Sequence, residues 1–316
     1  MKNSENIGRI FSISFSSGTF LERIIYWKDG LKLLRSNLFG YGYMGYFYKV
    51  FEVQTGVYVT KFVHNEYLQM ALDIGIIPTI IFIGFLLKML FSKENPVKNK
   101  IILLIIMLHM FMDFDLQFMI IFYIVFLCFD NKTYKETQVE INITFIVTIV
   151  LGIGLYGYWF IPTFANHIQE PQIANNLLKD YTEPKIVTLS KLDDIDKAYN
   201  MANEIEENNK YVQIVYNIKA MYYMQKGDID KAVQNRKRQI ELNKYDEKNY
   251  EEYVLMLSKM LNNYVKEEDN KNVTKCIDYI IEVEDMVEDT NSIMDKLEYK
   301  IRGNPEIELS EEIQSY

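Results

Sequence analysis

Three hydrophobic patterns succeed one another along the chain. Between Thr19 and Arg35 the apolar residues Phe20, Ile24, Trp27, Leu31 and Leu34 recur at spacings of three and four. That periodicity predicts a helix with one apolar stripe and with Arg23, Lys28, Lys32 and Arg35 elsewhere on its surface. Thr19-x-x-Glu22 predicts a capping box at its start. A basic amphipathic helix of this kind can lie in a membrane interface. From Ile77 to Phe164 the pattern is continuous instead of periodic, dominated by Ile, Leu, Phe and Met. After Phe164 helical periodicity returns in a polar, acidic sequence rich in Asn, Glu, Lys and Tyr.

The continuous stretch reads as membrane helices. Gly75-Ile76-Ile77-Pro78 separates a short helix at about 64–74 from a membrane helix at about 77–92, with Lys88 snorkelling. Lys93, Lys98 and Lys100 mark the next loop as cytoplasmic, so the segment with Arg23 and His64 faces outward. Residues 101–129 would make one over-long span of about 44 Å. Asp113 and Asp115 at its centre are costly in lipid, so a tight hairpin with the acidic pair at the outer face is expected; one single span is the alternative. Lys132 and Lys135 then mark a second cytoplasmic loop. Residues 141–162 form the last span, anchored by Tyr158 and Trp159. The expected fold is all-α: a loop of amphipathic helices over 1–75, transmembrane helices over 76–163, and a soluble helical domain over 164–316.

Within that soluble part, Asp194-Ile195-Asp196-Lys197-Ala198 recurs as Asp228-Ile229-Asp230-Lys231-Ala232. The offset of 34 residues is the tetratricopeptide period. Tyr216, Ala220, Tyr223, Gly227 and Ala232 fall on its large–small–large–turn–small positions, whereas Arg236, Gln239 and Lys244 depart from it. A degenerate tetratricopeptide-like α-solenoid is expected, able to dock a protein partner and without a catalytic cluster.

Composition narrows the function. A mean hydropathy of -0.09 averages over two unlike halves. The net charge of -9 argues against nucleic acid as a partner, because phosphate binding needs a basic surface. Of the two cysteines, Cys128 lies in an apolar run and Cys276 in the soluble part, so neither a disulfide nor a metal site is expected. Residues 1–20 lack an apolar core of signal-peptide length. Few Pro and Gly among abundant Asn, Lys, Ile and Tyr accord with an AT-rich bacterial coding sequence.

The candidate chemistry centres on His64, one of three histidines, in Val63-His64-Asn65-Glu66-Tyr67-Leu68-Gln69. An imidazole titrating near neutral pH suits proton transfer to or from a sugar hydroxyl; equally, an interfacial histidine can anchor the next helix. Arg23 lies one helical turn from Trp27. Its guanidinium can hold a diphosphate in two prongs or simply meet anionic headgroups. Gly40, Gly42 and Gly45 permit close backbone approach to a ligand or form a plain turn. Tyr41, Tyr43, Tyr46, Phe47, Tyr48 and Tyr58 suit an aromatic belt or sugar stacking. His109 and Asp113, four residues apart, fit a hydrogen bond that holds the hairpin together.

Taken together, Thr19 to Arg23, Trp27, Gly40-Tyr41-Gly42, Gln54, Tyr58, His64-Asn65-x-Tyr67-Leu68 and Gly75 resemble the O-antigen ligase and polymerase superfamily of membrane glycan-assembly enzymes. The resemblance runs over about residues 9–129 and includes His109 to Gln117. Ser36 to Phe39 lack the proline that relatives often carry before the Gly-x-Gly turn. The resemblance implies a lipid-linked-oligosaccharide glycosyltransferase of the bacterial cytoplasmic membrane, acting outside the cytoplasm without metal or cofactor. Its donor would be a polyprenyl-diphosphate-linked glycan and its acceptor a glycan, lipid or protein. Arg23 and His64 would be catalytic, and Trp27, Gly40, Gly42, Asn65, His109 and Asp113 would bind substrate. Relatives usually carry more membrane helices before this loop, so the chain reads as a C-terminal part, a subunit of a two-chain enzyme, or a remnant. The alternative function is a non-catalytic, membrane-anchored tetratricopeptide scaffold.

Overall fold

The computed structural model describes residues 17–128, 143–178 and 181–311, with side chains in the helix that starts at Ile143 described from Ile146. The loop with Lys132 and Lys135 lies outside the described residues. Among the described residues the structure is helical throughout, without strands. The chain divides into two compact units: Met1–Lys135 with Met286–Glu308, and Glu136–Asp285 with Leu309–Tyr316.

The first described helix of this unit is α1, Gly18–Ser36. Ser17 is its N-cap and makes no side-chain cap bond, so the expected Thr19–Glu22 box does not form. Glu22 instead receives hydrogen bonds from Arg302 at 3.0 Å and, weakly, Tyr26. The buried face also differs from the expected stripe. Ile25, Tyr26, Asp29, Gly30, Leu33 and Leu34 are inside, while Leu31 is largely exposed. A buried Asp29 hid this face from a hydropathy pattern. Its carboxylate accepts from Thr55 N at 2.8 Å, Thr55 Oγ1 at 2.9 Å, Tyr58 OH at 2.8 Å and Lys32 Nζ at 2.9 Å. Burying a carboxylate is tolerable only with that degree of pairing.

After α2 (Gly45–Lys49) and an irregular stretch, α3 (Glu66–Ile74) and α4 (Ile76–Phe91) form as expected on either side of Gly75. Residues 101–128 are not one continuous helix. Helix α5, Val97–His109, stops ahead of the acidic pair, and α6, Met119–Leu127, starts after it. Leu86, Met89, Leu103, Ile106, Met110, Val125 and Cys128 form the core shared by α4, α5 and α6. Their outer surfaces expose Ile77, Ile80, Ile81, Ile105, Leu108, Ile120 and Leu127. An apolar patch of this kind fits lipid or a protein partner, not water.

At 1.5 Å per residue, α4, α5 and α6 reach about 24, 20 and 14 Å, short of a hydrocarbon core of about 30 Å. Among the described residues, only the helix in the second unit is long and apolar enough to cross, over Ile146–His167. That helix is α7, Ile143–His167, which carries Pro162 internally and runs past the expected end.

After α7 the second unit continues with α8 (Pro171–Leu177), α9 (Thr182–Leu189), α10 (Ile195–Asn208), α11 (Gln213–Gln225), α12 (Ile229–Glu241) and α13 (Glu247–Lys266), each packing on its predecessor. Helix α14, Asn270–Ser292, follows. The recurring aspartates are N-caps. Asp194 accepts from Asp196 N and Lys197 N, and Asp228 from Lys231 N, all at 3.1 Å. Ala198, Ala202, Ala220 and Ala232 are buried between the helices. The atypical Arg236 and Gln239 are buried too. Arg236 bonds Gln239 and Glu252, and Gln239 bonds Asn249.

The expected soluble domain does not keep its end. Residues Met286–Glu308, with α15 at Lys296–Arg302, belong to the first unit and pack against α1.

Candidate functional site

The irregular stretch between α2 and α3 ends in a sharp backbone feature. His64 has φ 51°, a left-handed conformation that costs a non-glycine residue energy. Two bonds hold it there. The Trp27 Nε1–H donates to the His64 carbonyl at 3.1 Å, and Val63 N–H donates to Gln69 Oε1 at 3.0 Å. The next residue starts the helix: Asn65 Oδ1 accepts from Leu68 N at 3.0 Å, an ordinary N-cap.

The motif residues also grip the segment between α5 and α6, one after another. His64 Nδ1 lies 3.2 Å from Asp113 Oδ1. Asn65 Nδ2 donates to the Phe111 carbonyl at 3.1 Å. Glu66 N–H donates to the Met110 carbonyl at 2.8 Å, and its carboxylate accepts Leu116 N–H at 2.9 Å. Tyr67 OH donates to the Met107 carbonyl at 2.8 Å. The helix break at the acidic pair is therefore built to meet this motif. Its freed backbone groups find partners on Asn65, Glu66 and Tyr67, as buried backbone requires.

Asp113 joins two predicted catalytic residues. Its other oxygen lies 3.7 Å from Arg23 Nη2, and all three side chains are about a quarter to a third exposed. The predicted His109–Asp113 hydrogen bond does not form. His109 Nδ1 instead contacts Asp115 at 2.7 Å, since Asp113 is drawn across to His64. Phe114 stands edge-on to the His64 ring at 4.9 Å, and Tyr26 flanks it at 5.9 Å. These apolar walls lower the His64 pKa below 6.5 through burial, which outweighs the opposing pull of Asp113; Arg23 lowers it further. A neutral imidazole beside a carboxylate donates Nδ1–H to it and leaves the Nε2 lone pair free. Among the described residues Nε2 makes no hydrogen bond. The constellation can therefore accept a proton at Nε2 and present guanidinium donors to an anion within one small region.

The remaining predicted site residues have structural duties. Gly40, at φ 85°, crosses the backbone of Gly75, at φ 91°. A Cβ on Gly40 would lie 2.6 Å from Gly75 N and 2.8 Å from the Asp73 carbonyl. The close approach is thus made to the end of α3, where Tyr41 N–H and Gly42 N–H donate to the Leu72 and Asp73 carbonyls. Gly42 also has a positive φ but faces open space. Asn65 and Trp27 scaffold His64 as described.

Glu66 was not singled out from the sequence. It is 1 % exposed, and burial pushes its pKa up to about 7, against the Leu116 hydrogen bond and aided by Asp115. Asp73, near the other end of α3, is pushed to about 6, also by burial. Asp29 and Arg302 were missed as well. Nothing in periodicity or motif spacing marks either, since their partners lie far away in sequence.

Residues 2–83 match the family model described as O-antigen ligase. The match takes in Arg23, Trp27, both glycines, His64 and Asn65, and stops short of His109 and Asp113. No curated protein and no solved structure matches the chain. Over those residues the chain is similar to O-antigen ligases, a likeness that suggests a membrane enzyme family.

Proposed function

We propose that the His64–Asp113–Arg23 constellation transfers a glycan from a polyprenyl-diphosphate carrier to an acceptor hydroxyl. The observation that carries this reading is the geometry around Asp113, which orients a neutral His64 and faces Arg23. In the reaction, the acceptor oxygen attacks the anomeric carbon while His64 Nε2 takes the hydroxyl proton. The bond between the anomeric carbon and the diphosphate oxygen breaks, and the electron pair leaves with the polyprenyl diphosphate. Arg23 meets that charge; its contact to Asp113 at 3.7 Å is loose enough to leave donors for it. Asp113 holds the imidazole tautomer and stabilises the imidazolium that forms, the division of labour known from histidine–aspartate pairs elsewhere.

His64→Asn is the cleanest test, because asparagine tolerates the left-handed backbone better than alanine does. With protein level unchanged, we expect at least about a hundredfold loss of transfer, the scale of a general base. In the parent, the rate should rise with pH through a midpoint below 6.5, since the active form is the deprotonated imidazole. Parental rates in His64→Asn would make the histidine a scaffold residue.

We further propose that the site faces outward from the cytoplasmic membrane, and that the helices of the second unit form tetratricopeptide-like hairpins exposed on the same side, where they would receive a protein partner. Supporting this, residues 295–302 bond residues 22–57, so the chain returns to the face from which it left. An even number of crossings lies between them. If α4 and α7 each cross once, α5 and α6 contribute a hairpin and not a single span. In a background without Cys128 and Cys276, a cysteine at Asn208 should label with an impermeant thiol reagent in intact cells, and one at Glu94 should not. The reverse pattern would put site and hairpins inside.

A further inference from the structure

We propose that Asp295, Glu298 and Arg302 form a clasp that positions the wall of the His64–Arg23 site, with Arg302 as its central positioning residue; its catalytic consequence rests on the transfer reading above, but the clasp does not. Arg302 makes three hydrogen bonds through two of its nitrogens. Its Nη2 donates to Glu22 Oε1 at 3.0 Å and to the Val57 carbonyl at 2.8 Å, and its Nε donates to Glu298 Oε2 at 3.0 Å. Glu298 is fully buried, and its other oxygen accepts Val57 N–H at 3.1 Å. One ion pair therefore grips both backbone groups of one residue. A turn earlier, Asp295 N–H donates to the Thr55 carbonyl at 2.7 Å, and Lys28 reaches the Asp295 carboxylate at 2.6 Å. Leu297 and Ile301 pack beneath these bonds on the cluster that contains Tyr26, Tyr58 and Val63.

The held segment backs the site. Thr55 and Tyr58 are fixed from the other side by Asp29, so residues 55–58 sit between α1 and the clasp. The Tyr58 ring packs at 4.5 Å against Tyr26 in a tilted arrangement, and Tyr26 flanks His64. Glu22, the other anchor of Arg302, immediately precedes Arg23. Apolar packing by Leu297 and Ile301 alone would fix neither direction nor register. A forked guanidinium and a buried carboxylate fix both, and loss of Arg302 would leave Glu298 as an uncompensated buried charge. A site whose groups must hold sub-ångström positions gains from such a support.

The test uses the full chain in membranes and two readouts. One is the kcat and KM of transfer from a polyprenyl-diphosphate-linked oligosaccharide. The other is the rate of His64 modification by diethyl pyrocarbonate, read by mass spectrometry, which needs no activity. Arg302→Ala should lower kcat about tenfold with a smaller change in donor KM, and raise His64 modification several-fold as its wall loosens. Arg302→Lys keeps the charge between Glu22 and Glu298 but loses the fork, so it should fall between the parent and Arg302→Ala on both readouts. If Arg302→Ala does not accumulate, Lys28→Ala, which cuts only the Asp295 pair, should still raise His64 modification. Unchanged His64 reactivity in the variant that accumulates overturns the clasp. A reactivity that responds in chains whose parent transfers nothing leaves the clasp standing and removes the transfer reading.

Discussion

The loop around residues 54–65 and the helical run from Ile195 to Lys266 are held together by opposite means. In the helical run the bonds that set element boundaries are local: Asp228 caps the amide three residues on, and Asp246 the amide two residues on. Its core is alanine, aliphatic residues, methionine and tyrosine at helical spacing. In the loop many polar bonds are long-range, beside local ones such as those Gln54 donates to the Gly56 and Tyr58 carbonyls. Asp29 reaches 26 and 29 residues ahead, Asn65 reaches 46, and Glu298 reaches back 241. A segment without regular structure must find partners for its backbone somewhere, and here buried side chains supply them. The two regions should therefore fail differently, one by small local increments and the other all at once.

The largest expected failure is Asp29→Ala. It would leave Thr55 N–H, the Thr55 hydroxyl and the Tyr58 hydroxyl without their acceptor inside the core. At about 1–3 kcal/mol for each stranded group, a loss of roughly 3–5 kcal/mol is expected. That is a large part of a domain's stability, so the variant should accumulate poorly or unfold at a markedly lower temperature in detergent. A loss under about 1 kcal/mol would mean that the loop is held by its apolar contacts alone.

This contrast also explains what could be read from the sequence. The helix pair around Gly75, the break at Asp113 and Asp115, the long apolar helix after Ile143 (though not its end at His167) and the capped helices after Asp194 all follow from periodicity, turn residues and charge in short windows. His64, Arg23 and Asp113 were legible as residue types in a family-like order. Their meeting was not, because it depends on a helix break folding back on the Asn65–Tyr67 backbone. The buried face of α1 was misread for a related reason. A fully buried aspartate looks polar to any hydropathy scale, and only its partners at Thr55 and Tyr58 reveal it as core. The return of residues 286–308 to α1 had no local signal at all.

A smaller effect, with a sign that the site region alone should show, comes from Glu66. Its folded pKa of about 7 exceeds the ordinary 4.5, so the folded state holds a proton that the unfolded state releases between those values. Stability must then fall as pH rises from 4.5 to 7 and stay low above it, by on the order of 2–3 kcal/mol. Glu66→Gln keeps the oxygen that accepts Leu116 N–H and removes the titration. The variant should be more stable than the parent at pH 8, about equal near pH 4.5, and flatter between them. His64 works in the other sense, losing stability as pH falls below 6.5, and it remains in both proteins. Identical pH slopes with and without Glu66 would show that the carboxyl is solvated in the membrane-bound protein.

The smallest effect belongs to the helical run, and its size is the point. Asp228 accepts one backbone hydrogen bond, from Lys231 at 3.1 Å, and that bond holds its carboxyl below the usual range. Asp228→Ala should cost about 1 kcal/mol, the usual loss of an N-cap, and the cost should fade as the parent carboxylate is itself protonated below pH 3.8. The first turn of α12 frays, while Ala232, Val233 and Ile240 remain buried against neighbouring helices and keep the hairpin in place. Hydrogen exchange would show faster amides confined to residues 229–232. If exchange quickened across α11 and α13 as well, the helical run would be as cooperative as the loop, and the distinction between a locally specified region and a globally specified one would not hold for this chain.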